Sequence, residues 1–460
     1  MASSRATSGV ELQVQLAGRR LRAGLEDELR EAVREGRLAT GSRLPSSRTL
    51  AVDLGVARNT VAEAYAQLVA EGWLEARHGA GTWVAERRDA GLLDRAVEQP
   101  EPIARFDLRP GVPDLGAFPR AAWLTAARRA LAVAADETLG YGDPRGLPAL
   151  REQLAAYLAR VRRVAVQPSG IGVCAGFGEA LRLLCAVLLQ RGGRSVAVEG
   201  FGHRLHRELI AAGGLEVVPI GVDDPGAVVG DLGGEAAVVL TPAHQFPLGV
   251  PLVPARRRDV VAWAADTGSL VLEDDYDGEF RYDRQAVGAM QALAPAHVVY
   301  AGTAAKSLVP GLRLAWLVPP PALLDELVEA KRAMGAFPAV FEQLTLAEFL
   351  ASGAFDRQVR RARIAYRRRR DRLLRQLASR GIEVSGIAAG LHVLAHLAER
   401  DEREVIERAA ERGLALEGLG AYAAPGHSGP PALVIGYGRP PEHAYTAALA
   451  RLDAALDSSR

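Results

Sequence analysis

The chain has 460 residues, of which 49% are hydrophobic and 24% charged, and its formal net charge is +1. This length allows two or three domains, and the near-zero charge gives no general affinity for nucleic acid. Because polar residues interrupt every apolar run and the first residues lack a secretory signal, we expect a cytoplasmic protein with no membrane partner.

The first 85 residues have the element order of a winged helix. Apolar residues at helical spacing predict a first helix between about 18 and 36, and Ser46 or Ser47 can cap a second one. A third helix follows, and its predicted inner side consists of Val61, Ala64, Tyr65 and Leu68. Residues 74–84 are predicted to form a β-hairpin with glycines at its tip, which is the wing.

The third helix of such a domain enters the major groove of DNA, with its N-terminal residues facing base edges. Arg58 can reach guanine and Asn59 adenine, with Thr60 beside them, whereas Arg43 and Arg48 lie where phosphates would pass. Net charge adds little attraction, because the first 85 residues hold 11 arginines and 10 acidic residues. A winged helix that contacts protein instead of DNA is the alternative.

We predict three segments: a winged helix-turn-helix over 12–85, a linker over 86–104, and a larger α/β domain over 105–460. In the last, apolar strands alternate with helical patterns, which predicts a mainly parallel sheet covered on both faces over 105–325 and a smaller α/β part over 326–460. The predicted strands are Gly170–Cys174, Ser195–Val198, Glu216–Ile220, Ala236–Leu240, Ser269–Leu272, Val298–Tyr300 and Leu314–Val318.

A glycine-rich turn follows the first of these strands. Gly176, Phe177 and Gly178 join it to a helix, and the free N–H groups at a helix start suit a phosphate group. Such turns are common in parallel sheets, so this signal is weak alone. His203, which follows the second strand, can stack on a flat ring, and an ordinary surface histidine is the alternative.

Carboxylates end the strand that begins near Ser269. Asp274 is a candidate to face the nitrogen of a pyridine ring, which would keep that nitrogen protonated, and Tyr276 can hydrogen-bond a phenolic oxygen on the same ring. The alternative is a Mg²⁺ site. Because no phosphate-binding P-loop accompanies the carboxylates, we predict no metal site. The segment 241–249, a turn containing two prolines, lies at the same edge of the sheet, where open α/β sheets bind ligands.

Lysine is almost absent from this chain. Of its 56 lysines and arginines, only Lys306 and Lys331 are lysines. A chain that uses arginine for charge should keep lysine where an amine must react, because arginine cannot form a Schiff base. Lys306 therefore predicts an aldehyde cofactor, with Thr303 and Arg313 completing a phosphate site. The alternative is an ordinary surface lysine that follows a strand. Lys331 stands in an amphipathic pattern, and we expect it on the solvated face of a helix.

Residues 357–375 contain ten arginines and one acidic residue. Leu373, Leu374 and Leu377 give this predicted helix a core side. Its arginines form either an ordinary solvated face or a second surface that attracts DNA phosphates.

The N-terminal segment resembles the GntR-type winged helix through residues 41–48, 57–61 and 68–74. The resemblance implies that DNA is contacted by Arg48, Arg58, Asn59, Thr60, His78 and Gly79. Ala57 and Ala62 depart from this family, which often has basic or hydroxyl side chains at those positions.

The rest of the chain resembles fold-type I aminotransferases that use pyridoxal phosphate. Together with the winged helix it looks like the MocR (GabR/PdxR-like) regulators, through residues 274–280, 244–249, 306–313 and 366–371. The resemblance implies that Lys306 forms the Schiff base. It also implies that the cofactor is contacted by Gly176, Phe177, Gly178, His203, Asp274, Tyr276, Thr303 and Arg313.

Two departures from the aminotransferase pattern concern the ligand. His203 stands where the family commonly has tyrosine, and residues 432–438 lack the arginine that often binds a substrate carboxylate on a late strand. The expected function is a transcriptional regulator that binds operator DNA as a homodimer and senses pyridoxal phosphate or an amino compound. A working aminotransferase with an accessory DNA-binding domain is the alternative, and a scaffold without cofactor is a third.

Overall fold

The computed structural model of the chain describes residues 21–77, 80–86, 104–283, 287–398 and 400–457. The chain divides into two compact units, Met1–Glu101 and Pro102–Arg460. In the described ranges, no helix is both long and apolar enough to cross a membrane.

The first unit has the predicted order of three helices and a hairpin: α1 (Leu21–Arg34), α2 (Ser47–Leu54), α3 (Arg58–Ala70), β1 (Leu74–Arg77) and β2 (Gly81–Val84). Ser46 caps α2, because its Oγ accepts a hydrogen bond from the backbone N of Thr49 at 3.2 Å. Gly55 ends α2 in the left-handed conformation (φ 64°) that glycine adopts without strain.

The core of this unit confirms the predicted inner side of the third helix. Val61, Ala64, Tyr65 and Leu68 are all buried, and they pack with leucines of α1 and α2. The antiparallel hairpin pairs Leu74 with Val84 and covers one end of this core. The first unit is a winged helix.

The second unit contains ten helices within the described residues. They are α4 (Arg120–Val133), α5 (Pro148–Arg162), α6 (Phe177–Gln190), α7 (Arg204–Ala212), α8 (Pro254–Thr267), α9 (Leu324–Ala333), α10 (Val340–Ala351), α11 (Ala354–Ser379), α12 (Glu402–Glu411) and α13 (Glu442–Leu456).

The strands of the second unit begin with the short β3 (Phe106–Asp107), and thirteen more follow within the described residues. They are β4 (Gly172–Cys174), β5 (Ser195–Glu199), β6 (Glu216–Ile220), β7 (Val222–Asp223), β8 (Gly226–Ala227), β9 (Ala237–Leu240), β10 (Leu270–Asp275), β11 (Val298–Thr303), β12 (Ala315–Val318), β13 (Val384–Ser385), β14 (His392–His396), β15 (Leu414–Ala415) and β16 (Ala432–Gly436).

All seven predicted strands belong to one sheet of order β4-β12-β11-β10-β9-β5-β6. The neighbours from β11 to β6 run parallel, whereas β12 is antiparallel to both β11 and β4. Buried clusters lie on both faces of this sheet, as expected for an α/β architecture. A smaller sheet of order β13-β14-β16 packs with α11, α12 and α13 and forms the second part of the domain.

Two strands run three residues further than the sequence predicted. The apolar run that starts near Ser269 was expected to end at Leu272, but β10 continues through Asp275, and β11 continues through Thr303. Every residue of β10 is buried, including its three acidic ones. The hydrophobic pattern underestimated β10 because its last three residues are acidic, and it underestimated β11 because Ala301 and Gly302 are too small to extend an apolar run.

Lys331 corrects one expectation. It was predicted on a solvated helix face, yet its side chain is only 4% exposed. Its Nζ donates to the carbonyl of Val173 on β4 and lies 3.5 Å from Oε1 of Glu179. An amphipathic pattern cannot reveal a buried ion pair of this kind, because the partner strand lies far away in the chain.

The arginine-rich helix is likewise not uniformly solvated. On α11, Leu373 and Leu377 are buried as predicted, but so is Arg369. Its guanidinium donates to Asp114 Oδ2 at 2.8 Å and to Glu442 Oε2 at 2.9 Å. This arginine therefore ties α11 to α13 and to the segment before α4.

Candidate functional site

A cavity of about 170 Å³ lies at the carboxyl ends of the central strands. Open α/β sheets bind ligands at this edge. The cavity brings together eight of the nine residues that the sequence nominated for cofactor binding, namely Gly176, Phe177, His203, Asp274, Tyr276, Thr303, Lys306 and Arg313. Gly178 is not part of the wall, because it lies inside α6, where a β-carbon would approach Leu209 Cδ1 at 3.3 Å.

Lys306 follows β11 and its amine is largely enclosed. Nζ donates a hydrogen bond to the carbonyl oxygen of Gly111. Burial lowers the pKa of Lys306, and the carboxyl groups of Asp274 and Asp277 oppose that shift. A lowered pKa increases the fraction of neutral amine, which is the nucleophilic form.

Side-chain alternation along β10 separates its three carboxyl groups. Asp274 lines the cavity, and burial raises its pKa well above the usual range, while the charge of Lys306 opposes the shift. Its neighbours have other partners. Asp275 accepts from Arg162 at 2.5 and 2.7 Å and from the Tyr300 hydroxyl at 2.7 Å. Glu273 caps the backbone N–H groups of residues 290 and 291. Asp274 is thus the carboxyl of this strand that faces the cavity.

Tyr276 lies over the same cavity and is held by its neighbours. Its hydroxyl donates to the carbonyl of His244 at 3.0 Å and lies 3.2 Å from Nδ1 of that histidine. The same Nδ1 lies 2.8 Å from Oδ2 of Asp277. Burial and the nearby carboxyl groups of Asp277 and Asp274 raise the pKa of Tyr276, so its hydroxyl keeps its proton.

One end of the cavity is suited to an anion. Helix α6 begins at Phe177, so its free backbone N–H groups point toward the cavity. Gly176 has φ 115°, and a β-carbon there would come within 2.9 Å of Nη2 of Arg313. Arg313 has no carboxylate partner among the described residues, and Thr303 stands beside it in the wall. A phosphate fits this cradle, which only glycine keeps open.

His203 forms part of an aromatic wall. Its ring stacks on Phe246 with centroids 4.5 Å apart and planes 8° from parallel, and it contacts Tyr422 edge-on at 6.2 Å. Part of the His203 side chain is exposed to solvent, but the protein atoms packed around its ring, together with the charges of Lys306 and Arg207, lower its pKa to about 4. The histidine is therefore neutral at pH 7 and presents a flat, uncharged surface.

On the winged helix, several of the residues predicted to contact DNA are accessible to solvent. Arg58, Asn59 and Arg48 are exposed, and Thr60 is half-buried at the start of α3. Arg43 lies over the ring of Trp83 at 5.9 Å. The predicted contacts His78 and Gly79 lie outside the described residues.

Sequence comparison matches both units to known families. Residues 21–84 match "Bacterial regulatory proteins, gntR family", and residues 107–428 match "Aminotransferase class I and II". The HTH-type pyridoxine biosynthesis transcriptional regulator PdxR of Corynebacterium glutamicum is 32% identical over 440 residues, which cover 94% of this chain and 95% of that protein. The probable rhizopine catabolism regulatory protein MocR of Rhizobium meliloti is 32% identical over 413 residues, or 84% of each chain. The chain belongs to the MocR-type regulators.

The fold of the second unit is also similar to those of solved aminotransferases. An archaeal alanine:glyoxylate aminotransferase superposes with a TM-score of 0.69 at 26% identity, over 76% of this chain and 90% of that one. This MocR-type chain is therefore a transcriptional regulator built from a GntR winged helix and a fold-type I aminotransferase-like domain.

Several residues that line the cavity were not predicted from the sequence. Glu199 ends β5 and accepts hydrogen bonds from the backbone N and the hydroxyl of Thr241 at 3.2 and 2.6 Å. Burial raises its pKa to about 7. His392, the first residue of β14, brings the smaller sheet to the cavity wall. A carboxyl at a strand end was a usable signal for Glu199, whereas nothing in the local sequence distinguishes Gly111 or His392.

The late-strand position that binds carboxylates in many aminotransferases is apolar in this regulator. All five residues of β16 are buried, and Val434 packs with Phe201 and Phe246. Arg439, the nearest arginine beyond the strand, binds Oδ2 of Asp107 at 2.6 Å. Among the described residues, no cluster of His, Cys, Asp and Glu could hold a metal ion.

Proposed function

We propose that this regulator binds pyridoxal phosphate covalently through Lys306 and senses a small molecule, either pyridoxal phosphate itself or an amino compound, that changes how it binds operator DNA. One observation carries the proposal. An enclosed amine, a buried carboxyl group and an anion cradle line a single cavity, at Lys306, Asp274 and Gly176–Arg313.

Each residue has a defined task in this proposal. When bound, pyridoxal phosphate supplies an aldehyde conjugated to a pyridine ring that withdraws electrons. Lys306 provides the amine, and its lowered pKa keeps part of it neutral. Asp274 would share its proton with the ring nitrogen, and Arg313 with the N-terminus of α6 would bind the phosphate. The hydroxyl of Tyr276 would turn from the His244 carbonyl to donate to the phenolic oxygen. The neutral ring of His203 covers one face.

We further propose that the regulator is a homodimer. Large apolar side chains are exposed on and near α4 and α10, two helices that pack together. They are Leu124 (64% exposed), Leu131, Val133 (84%), Tyr141 (94%), Phe337 and Phe341. Soluble monomers rarely expose a patch of this kind, so a second copy of the chain is its expected cover. A ligand that changes the geometry of this dimer would change the spacing of its two winged helices.

DNA recognition is assigned to the face of α3 that carries Arg58 and Asn59. Arginine suits guanine and asparagine suits adenine in the major groove. We therefore expect the Arg58→Ala variant to lose binding to duplexes selected from random DNA by the wild-type chain. Binding is measured by fluorescence anisotropy. Equal affinity of the variant and the wild type would contradict this assignment.

Covalent attachment can be located by chemistry, because the chain has only two lysines. The protein is incubated with pyridoxal phosphate and reduced with borohydride, and its peptides are analysed by mass spectrometry. We expect the phosphopyridoxyl mass on the peptide of Lys306 and none on that of Lys331, which is buried against Val173. Labelling of Lys331 alone, or of neither lysine, would overturn the proposed function.

The same residues would also serve transamination, which makes an aminotransferase the second candidate. Loss of the Schiff-base absorbance of the loaded protein upon addition of amino acids, with stoichiometric keto acid, would identify turnover. We expect no sustained turnover, because β16 offers no arginine for a substrate carboxylate.

A further inference from the structure

The long helix α11 carries a one-sided row of exposed arginines. Of the ten arginines in residues 357–375, Arg369 is buried, Arg363 donates to the carbonyl of Glu279, and Arg370 is half-buried beside Asp371. The other seven are exposed and are called the arginine stripe: Arg357, Arg360, Arg361, Arg367, Arg368, Arg372 and Arg375.

Helical geometry places the arginine stripe on one face. At 3.6 residues per turn its members fall within an arc of about 140°, opposite the buried side that contains Leu373 and Leu377. The row is about 27 Å long at 1.5 Å per residue. That length corresponds to about eight base pairs of duplex DNA at 3.4 Å each.

No member of the stripe binds a carboxylate among the residues that the structure describes. Arg357 donates to the carbonyl of Ser352, and Arg372 donates to the hydroxyl of Thr446. Neither partner neutralises a charge. Seven like charges so close together repel one another, and an extended polyanion would relieve this repulsion.

The winged helix, in contrast, has few free charges for DNA phosphates. Five of its eight described arginines form ion pairs with acidic residues of the same unit. The other three are Arg43, Arg48 and Arg58. Since phosphate contacts supply much of the affinity of DNA-binding proteins, this regulator needs a further positive surface to hold DNA firmly.

We propose that the arginine stripe of α11 binds the backbone phosphates of duplex DNA that flanks the operator. The inference rests on the proposed function, which brings the regulator to DNA through its winged helix. In this arrangement α3 reads the sequence, and the stripe adds affinity that does not depend on sequence. Duplex DNA is favoured over other polyanions because the chain already has a DNA-reading unit and the stripe extends along a single helix of 26 residues.

The test compares two duplexes and a charge variant of the full chain. One duplex has only the footprint selected by the wild-type chain from random DNA, and the other is longer by about two helical turns on each side. The stripe variant carries Arg361→Gln, Arg368→Gln and Arg375→Gln. Affinity is measured against salt concentration by fluorescence anisotropy.

We expect the wild type to bind the long duplex more tightly and with a steeper salt dependence than the short one. In the stripe variant the slope of log K against log salt for the long duplex should fall by up to about 3, because each lost phosphate contact removes about 0.9. Its affinity for the short duplex and its selected sequence should be unchanged.

The matched control removes three charges elsewhere on the second unit, by Arg182→Gln, Arg194→Gln and Arg258→Gln. These arginines are also exposed and without a carboxylate partner among the described residues. The control should keep the wild-type slope on both duplexes. Circular dichroism and thermal unfolding verify that both triple variants are folded.

Several results would overturn the proposal. A stripe variant that keeps the wild-type slope on the long duplex, or a control that loses as much, would remove the stripe from DNA binding. The stripe would belong to another partner if the stripe variant kept the wild-type DNA slope but changed its mass in light scattering. The same would follow if it kept that slope but lost binding to vesicles of anionic phospholipid. If the wild type selected no sequence from random DNA, the proposed function itself would fail, whereas a wild type that selects a sequence but binds both duplexes equally would refute only the stripe.

Discussion

Gly176 and Arg313 are packed so closely that a β-carbon on Gly176 would lie 2.9 Å from Nη2 of Arg313. Gly176 also has φ 115°, a conformation that residues with a side chain rarely adopt. The two residues come from opposite sides of the anion cradle. The cradle therefore depends on the absence of a side chain at one position.

We predict that Gly176→Ala weakens binding of pyridoxal phosphate about tenfold or more, because the guanidinium of Arg313 must move away from the anion. The measurement is an absorbance titration of cofactor-free protein. Gly178→Ala is the matched control, since this glycine lies inside α6 and outside the cavity wall. Equal effects of the two substitutions would contradict the cradle.

Asp274 and Asp275 are adjacent, yet we expect replacement by asparagine to affect cofactor binding at Asp274 and stability at Asp275. Asp274→Asn should weaken cofactor binding and move its pH dependence to lower pH, because the Asp274 carboxyl group raises the pKa of Lys306 against the effect of burial. Asp275→Asn should instead lower the free energy of unfolding by about 3 to 5 kcal/mol, because it leaves Arg162 buried without a counter-charge. Absorbance titration and denaturant unfolding separate the two outcomes, and a pattern shared by both variants would refute the assignment.

Much of this site could be predicted from local sequence. Lys306 stood out because lysine is so rare, and Asp274 and Gly176 each come shortly after an apolar run that is visible in the sequence. Parallel strands bring their carboxyl ends to one edge, so residues that follow separate strands converge without any knowledge of the fold. Chemistry and strand order were sufficient for these residues.

Other contacts were invisible because they depend on distant segments. Gly111 accepts from Lys306 across 195 residues of sequence, and His392 reaches the cavity from the smaller sheet. The sequence does not distinguish Arg369 from its exposed neighbours in the arginine run, because its partners Asp114 and Glu442 are distant in the chain. A helical pattern identifies the apolar side of a helix but not which of its charged residues find a buried partner.

The Glu199 carboxyl should make stability depend on pH. Burial raises its pKa from 4.5 to about 7, so between these values the native state binds a proton that the unfolded state has released. The contribution of Glu199 to the free energy of unfolding therefore falls as pH rises from about 4.5 to 7. Glu199→Gln removes this titration and keeps an acceptor for Thr241.

At each pH we compare the free energy of unfolding of Glu199→Gln with that of the wild type. We expect this difference to favour the variant by about 1 to 3 kcal/mol more at pH 8 than at pH 5. Urea unfolding at the two pH values measures this difference. A constant difference between variant and wild type across this range would refute the raised pKa.

Ala62 offers a test of base reading by α3. It is exposed one helical turn after Arg58, on the side of the helix assigned to the major groove. Alanine can contact only a thymine methyl group there, whereas arginine prefers guanine. We predict that Ala62→Arg changes one base of the sequence selected from random DNA to guanine in each half-site. Ala70→Arg, at the far end of the same helix, should add affinity without changing the selected sequence.

Lys331 provides the last prediction, since its amine lies between the carbonyl of Val173 and the carboxyl group of Glu179. Replacing it by alanine removes one member of a buried ion pair and leaves the other uncompensated. We expect Lys331→Ala to lower the free energy of unfolding by about 3 to 5 kcal/mol. Arg332→Ala, which changes an exposed neighbour on the same helix, should alter it by about 0.5 kcal/mol or less. If both substitutions had equally small effects in urea unfolding, Lys331 would be solvated, as its sequence pattern indicated. Of the two lysines, only Lys306 would then have a role that requires an amine.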